Sequence, residues 1–111
     1  MKPALEGTFT ALSDTTRMAV VQLLSKKPRR ASEIAQALQM TPAAMSRHLR
    51  ALRKCGLVGE EGIDEDARVR IYRLRQEPFT QIHQWLQEVE MFWEGQLASF
   101  KLHVKRKRPK Q

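Results

Sequence analysis

One cysteine, Cys55, stands in the chain, so no internal disulfide can brace the fold. Apolar runs long enough for a membrane span or a signal-peptide core are missing, which leads to the expectation of a soluble, cytoplasmic protein with no membrane partner. No glycine-rich loop has the spacing that cradles phosphate. No nucleophile, base and orienting group stand at a recognisable spacing either, so an enzyme is not expected. Acids are nearly absent from one long stretch: between Arg17 and Lys54 nine Lys or Arg face a single acid, Glu33. Bases are absent from another: from Gln76 to Phe100 the charges are Glu77, Glu88, Glu90 and Glu94 alone. A basic centre beside an acidic segment gives a directed face, as expected where the partner is a polyanion such as nucleic acid.

What is present is a globular mixture, 41% hydrophobic and 29% charged over 111 residues, enough for one modest core. Leu5, Phe9 and Leu12 recur at helical spacing and mark a short first helix. Ser13 and Asp14 are both good N-caps for a second helix, TTRMAVVQLL, with Val20, Val21 and Leu24 on one side. The KKPRR connection reads either as solvated loop or as a phosphate-facing loop. Ser32 is expected to cap a short third helix, SEIAQALQM, with Ile34, Ala35 and Leu38 inward. A few residues later Thr41 caps the next helix, with Pro42 at its first position and Gly56 at its end. At about 100° per residue, Met45, Leu49 and Leu52 share one arc of that helix. Ala43, Ser46, Arg47, Arg50, Arg53 and Lys54 share roughly the opposite one. The pair of helices makes a helix-turn-helix, and the cationic arc suits a DNA groove or, less specifically, a solvated surface. His48 falls between the arcs, where a structural hydrogen bond is expected in preference to a base contact.

After Gly56 an extended run begins at Leu57 and Val58, breaks into GEEGIDEDA and resumes as RVRIYRL, a β-hairpin wing. Its tip is expected to hold Glu60, Glu61, Asp64, Glu65 and Asp66, with Arg68 and Arg70 beside them. Arg68 would be offered to the minor groove, the acids splaying outward or orienting it; a hairpin with no DNA contact is the alternative. Pro78 opens the last helix, whose apolar positions Phe79, Ile82, Leu86, Val89, Trp93, Leu97, Phe100 and Val104 recur every three or four residues. Trp85 and Phe92 widen that seam. So much apolar surface on one long helix finds an outlet in dimerisation, or in packing across its own domain, and Gly95 would permit a partner helix to approach closely.

The segments ALSDTTRMAVVQLL, SEIAQALQMTPAAMSRHLRALRKCGLV and RVRIYRL together resemble an ArsR/SmtB-type winged-helix regulator of the kind that does not sense metal. Ser46-Arg47-His48-Leu49 with Leu52 and Cys55-Gly56-Leu57-Val58 is the most specific part. The resemblance implies a mainly α fold with a small β-hairpin wing, a winged helix-turn-helix of four helices, two strands and a fifth helix. It implies a homodimer joined by the first and last helices, through Leu5 and Phe9 and the last-helix seam. The dimer would be a repressor on a double-stranded DNA operator of imperfect palindromic sequence. Its base-facing positions fall on Pro42, Ala43, Ser46 and Arg47, so readout rests on Ser46 and Arg47, while Ala43 can meet a thymine methyl. Thr41, Arg50, Arg53, Lys54, Arg68 and Arg70 are assigned to phosphates or the minor groove.

Many such proteins sense metal ions, and this chain departs from them. The third helix has no Cys, Gln81 stands where an Asp would be wanted before His83, and His103 is too far along. No metal and no cofactor are expected, and Cys55 reads as a small buried hydrophobe. Residues 1–105 are expected to form one domain and 106–111 a basic tail. That tail is either a phosphate-binding arm or charge that complements the helix C-terminus. A winged helix that binds RNA or a protein through its basic face is the alternative function, although the reader helix offers no aromatic for base stacking.

Overall fold

The computed structural model describes residues 3–63 and 66–107. The elements run α1 Pro3–Leu12, α2 Thr15–Leu24, β1 Arg29–Arg30, α3 Ala31–Ala37, α4 Pro42–Lys54, β2 Val58–Ile63, β3 Asp66–Leu74 and α5 Gln76–Lys107. They fall into two compact units, Met1–Phe79 and Thr80–Gln111.

The first unit is built on local signals that the chain states clearly. Asp14 caps α2 by accepting from the Arg17 N–H at 2.9 Å, and Arg17 Nε donates to the Ala11 carbonyl, which ties α2 back to α1. Thr41 caps α4 by accepting from the Ala44 N–H at 3.2 Å. The end of α4 is a Schellman motif: the Leu57 N–H reaches the Leu52 carbonyl and the Gly56 N–H the Arg53 carbonyl, with Gly56 at φ +79°. Leu52 and Leu57, which this motif brings together, are both fully buried. The same motif ends α3, where Met40 donates to Ala35 and Gln39 to Gln36, and here Gln39 takes the left-handed position at φ +54°.

Val20 and Leu24 of α2, Ile34 and Ala35 of α3, Met45, Leu49 and Leu52 of α4, and Leu57 and Val58 of β2 form the core, with Ala11 of α1. Each large member contributes on the order of 1.5–3 kcal/mol through burial. Tyr72, Leu74 and Phe79 pack against its edge.

Several expectations need correction. The wing is not a lone hairpin: Arg29 and Arg30 form a third strand, antiparallel to β3 opposite Tyr72 and Ile71, giving the order β1-β3-β2. That pairing draws Arg30 into extended backbone, so Arg30 and not Ser32 is the N-cap of α3. The Glu33 carboxylate accepts the Arg30 N–H at 3.2 Å, one half of a capping box; a guanidinium has no acceptor to supply the other. Glu60 and Glu61 are not at a tip. They lie in the β2 ladder opposite Tyr72 and Ile71, and Arg73 pairs with Glu61. Residues 64 and 65 lie outside the described residues. Helix α5 starts at Gln76, so Pro78 sits in its first turn, where no N–H is needed for a helical bond. It continues through Lys107, past the start of the expected tail, and residues 108–111 lie outside the described residues.

The second unit is α5 from Thr80 onward. Leu86, Met91, Phe92, Trp93, Leu97, Phe100 and Leu102 are all exposed on it, and the rings of Phe92 and Trp93 meet edge to face at 6.0 Å. Among the described residues no helix is long and apolar enough to cross a membrane.

Candidate nucleic-acid interface

Helix α4 divides cleanly. Met45, Leu49 and Leu52 are buried, while Thr41, Pro42, Ala43, Ser46, Arg47, Arg50, Arg53 and Lys54 are exposed. The apolar arc is held by the core, so the opposite arc is presented to solvent by packing. The Thr41 oxygen is engaged as a cap acceptor, which leaves its hydroxyl hydrogen to donate outward. His48 is half-buried between the arcs, with Nδ1 at 3.9 Å from the Asp14 carboxylate. The imidazole thus faces the N-cap of α2. The hydrogen bond from the Arg17 N–H holds the Asp14 carboxyl below its ordinary value of 3.8.

The C-terminal half of α4 and the base of the wing form an open groove of about 660 Å³. It is lined by Arg50, Arg53, Lys54, Arg70 and Arg75 with Glu60, Val58 and Gly59. Five cations therefore meet in one place, of which Arg75 was not anticipated from the sequence. Glu60 is the acid among them. Its side chain is only 19% exposed, with Arg53 Nη2 at 3.1 Å and Arg70 Nη1 at 3.9 Å. Tyr72 stands opposite it on the facing strand. Burial, and then its interaction with Glu60, raise the Tyr72 phenol above its ordinary value of 10.0. The signal for Glu60 was available in the period-two alternation, had β2 been extended through Gly59 and Gly62.

The remaining candidates are placed as follows. The side chain of Arg68 lies outside the described residues, as do those of His103 and Val104. Leu5 is buried, Phe9 is half-buried, and Phe79 packs on the core, whereas Ile82 and Val89 are half-buried and Leu86, Trp93, Leu97 and Phe100 are exposed. Among the described residues no three His, Cys, Asp or Glu side chains converge as a metal site would require. The Cys55 thiol is half-buried and donates to the Leu52 carbonyl at 3.4 Å.

Residues 14–60 match the family model described as bacterial regulatory protein, arsR family. No protein of curated function matches the chain by sequence. Among solved structures, the crystal structure of an ArsR family transcriptional regulator is 35% identical, with 82% of this chain and 97% of that one covered and a TM-score of 0.73. An ArsR-like transcriptional regulator from Rhodococcus is 30% identical, with 89% and 91% covered and a TM-score of 0.74. A solution structure from Mycobacterium bovis is a homodimeric winged helix-turn-helix DNA-binding domain of a possible ArsR-family regulator. It is 25% identical, with 78% of each chain covered and a TM-score of 0.63.

Proposed function

The chain belongs to the ArsR family, as a transcriptional regulator with a winged helix-turn-helix DNA-binding domain and not an enzyme, and from that premise we propose that it is a homodimeric repressor acting on an imperfect palindromic operator. The observation that carries this reading is the division of α4, whose exposed arc joins Ser46 and Arg47 to a run of phosphate-type cations. Arg47 reads a guanine edge, Ser46 a neighbouring base, and Ala43 meets a thymine methyl. Thr41, Arg50, Arg53, Lys54 and Arg70 hold the backbone, and Arg68 follows the wing to the minor groove. With Leu5 buried and Phe79 on the core, the dimer contact falls chiefly on the exposed α5 seam of Leu86, Trp93, Leu97 and Phe100 with its half-buried neighbours Ile82 and Val89, and separately on Phe9 of α1. The homodimeric state of the Mycobacterium bovis solution structure supports a dimer.

Footprinting of genomic DNA with the purified protein tests the proposal. Two protected half-sites about one helical turn apart are expected. Arg47→Ala should relax base preference at one position per half-site, at a cost of roughly 1–3 kcal/mol, while Arg53→Ala weakens all sequences alike. Firm binding to RNA or protein with no salt-dependent DNA binding would overturn the reading, and unchanged base preference in Arg47→Ala would overturn the readout assignment.

A further inference from the structure

A carboxylate at the centre of a cationic groove is out of place if the groove only collects phosphates. Glu60 stands among Arg50, Arg53, Lys54, Arg70 and Arg75. It is largely buried and fixed in the β2 ladder opposite Tyr72. Arg53 is within charge-assisted hydrogen-bond distance of it and Arg70 stands just beyond, while both arginines keep nearly half of their side-chain surface in solvent. Both guanidiniums are therefore reachable from solvent and already partly neutralised by one internal acid.

We propose that Glu60 is an internal phosphate competitor: it occupies Arg53 and draws on Arg70, so that a duplex must displace or share its carboxylate to gain those two contacts. The proposal rests on the DNA-binding reading above. Its physical basis is that phosphate contacts supply nonspecific affinity and carry no sequence information. A chain of formal charge +8 with few base-reading side chains would otherwise be held by any duplex it met. Two like charges competing for one guanidinium repel at short range, and the position of Glu60 within the β2 ladder keeps its carboxylate beside Arg53.

The test uses the full chain and a random-sequence duplex labelled for fluorescence anisotropy, titrated between about 50 and 200 mM salt. Glu60→Gln keeps the shape yet removes the charge. It should bind the duplex about three- to tenfold tighter, and the slope of log affinity against log salt should steepen by about one, the signature of an additional neutralised phosphate. In an Arg53→Gln, Arg70→Gln background the same change should give almost no gain. Unchanged or weaker binding by Glu60→Gln overturns the proposal, and so does an equal gain in the doubly substituted background, which would be a general field effect. If the unsubstituted protein shows no salt-dependent duplex binding, the DNA-binding reading falls with it, an outcome distinct from either of those.

Discussion

Replacing Gln39 by glycine should stabilise the protein. Gln39 ends α3 at φ +54° in the turn between the two helices of the helix-turn-helix. Its counterpart at the end of α4 is Gly56, at φ +79°. Both residues close Schellman motifs with the same pair of backbone hydrogen bonds, so the chain solves one geometric problem twice with different residues. A left-handed conformation costs a residue with a Cβ about 1–2 kcal/mol. Glycine removes that cost but raises the entropy of the unfolded chain by about 0.5–1 kcal/mol. The difference leaves a gain of about 0.5–1 kcal/mol in Gln39→Gly. For a domain of this size that corresponds to a rise in melting temperature of about 2–8 °C. The mirror substitution, Gly56→Ala, meets no atom within 4 Å at the added Cβ, so its cost is backbone conformation alone and should be about 1 kcal/mol of destabilisation. Urea denaturation followed by far-ultraviolet circular dichroism is the suitable assay, because both tryptophans, Trp85 and Trp93, lie on α5 away from the turn in sequence. A midpoint raised with an unchanged slope is expected. A midpoint that stays put or falls in Gln39→Gly, with Gly56→Ala neutral, would refute the left-handed cap as the source of the strain.

Two further predictions follow from charge and protonation. Asp14 is held below its ordinary value, so its contribution to stability is present above about pH 4 and is lost as pH falls through the lowered value. Asp14→Asn keeps the cap without the titration, and the stability of that variant should fall less steeply between about pH 5 and 2. Tyr72 is the one tyrosine in the chain and its phenol is raised, so the stability it lends is present below about pH 10 and lost as pH rises through the raised value. Titration of phenolate absorbance should give a midpoint above that of free tyrosine, and Glu60→Gln should move it down; an unmoved midpoint would mean that Glu60 has no part in it.

The parts of the fold that could be read from the chain are those written in local signals. Asp14, Thr41, Pro42 and Gly56 each act through a bond or torsion within a few residues, and the buried Met45, Leu49 and Leu52 follow from helical periodicity. The parts that could not are those made by distant partners. Arg29 and Arg30 have no apolar alternation of their own; they are a strand because β3, some forty residues later, presents an edge to pair with. Glu60 looked like a repelled acid at a loop tip because the sequence shows its acidic neighbours and not Arg53, Arg70 and Tyr72, which arrive through α4 and the facing strand. Arg75 was missed for the same reason, since its N–H pairs with the Leu57 carbonyl and turns it toward the groove's residues only when the hairpin closes.

The two-residue strand β1 has a mechanical consequence. Arg30 is its last residue and also the N-cap of α3, so Ile71 of β3 and the Glu33 carboxylate hold the same residue from two sides. The wing is anchored to the reader helix through Gly56 and Leu57, and to the preceding helix through Arg30. An arm on one pivot swings, whereas an arm on two is part of a frame. Load applied to the wing therefore reaches both helices together, and the wing's position is set when the chain folds. A residue inserted between Leu24 and Arg29 would then be felt at the wing, far from it in sequence, because it would slacken one corner of that frame.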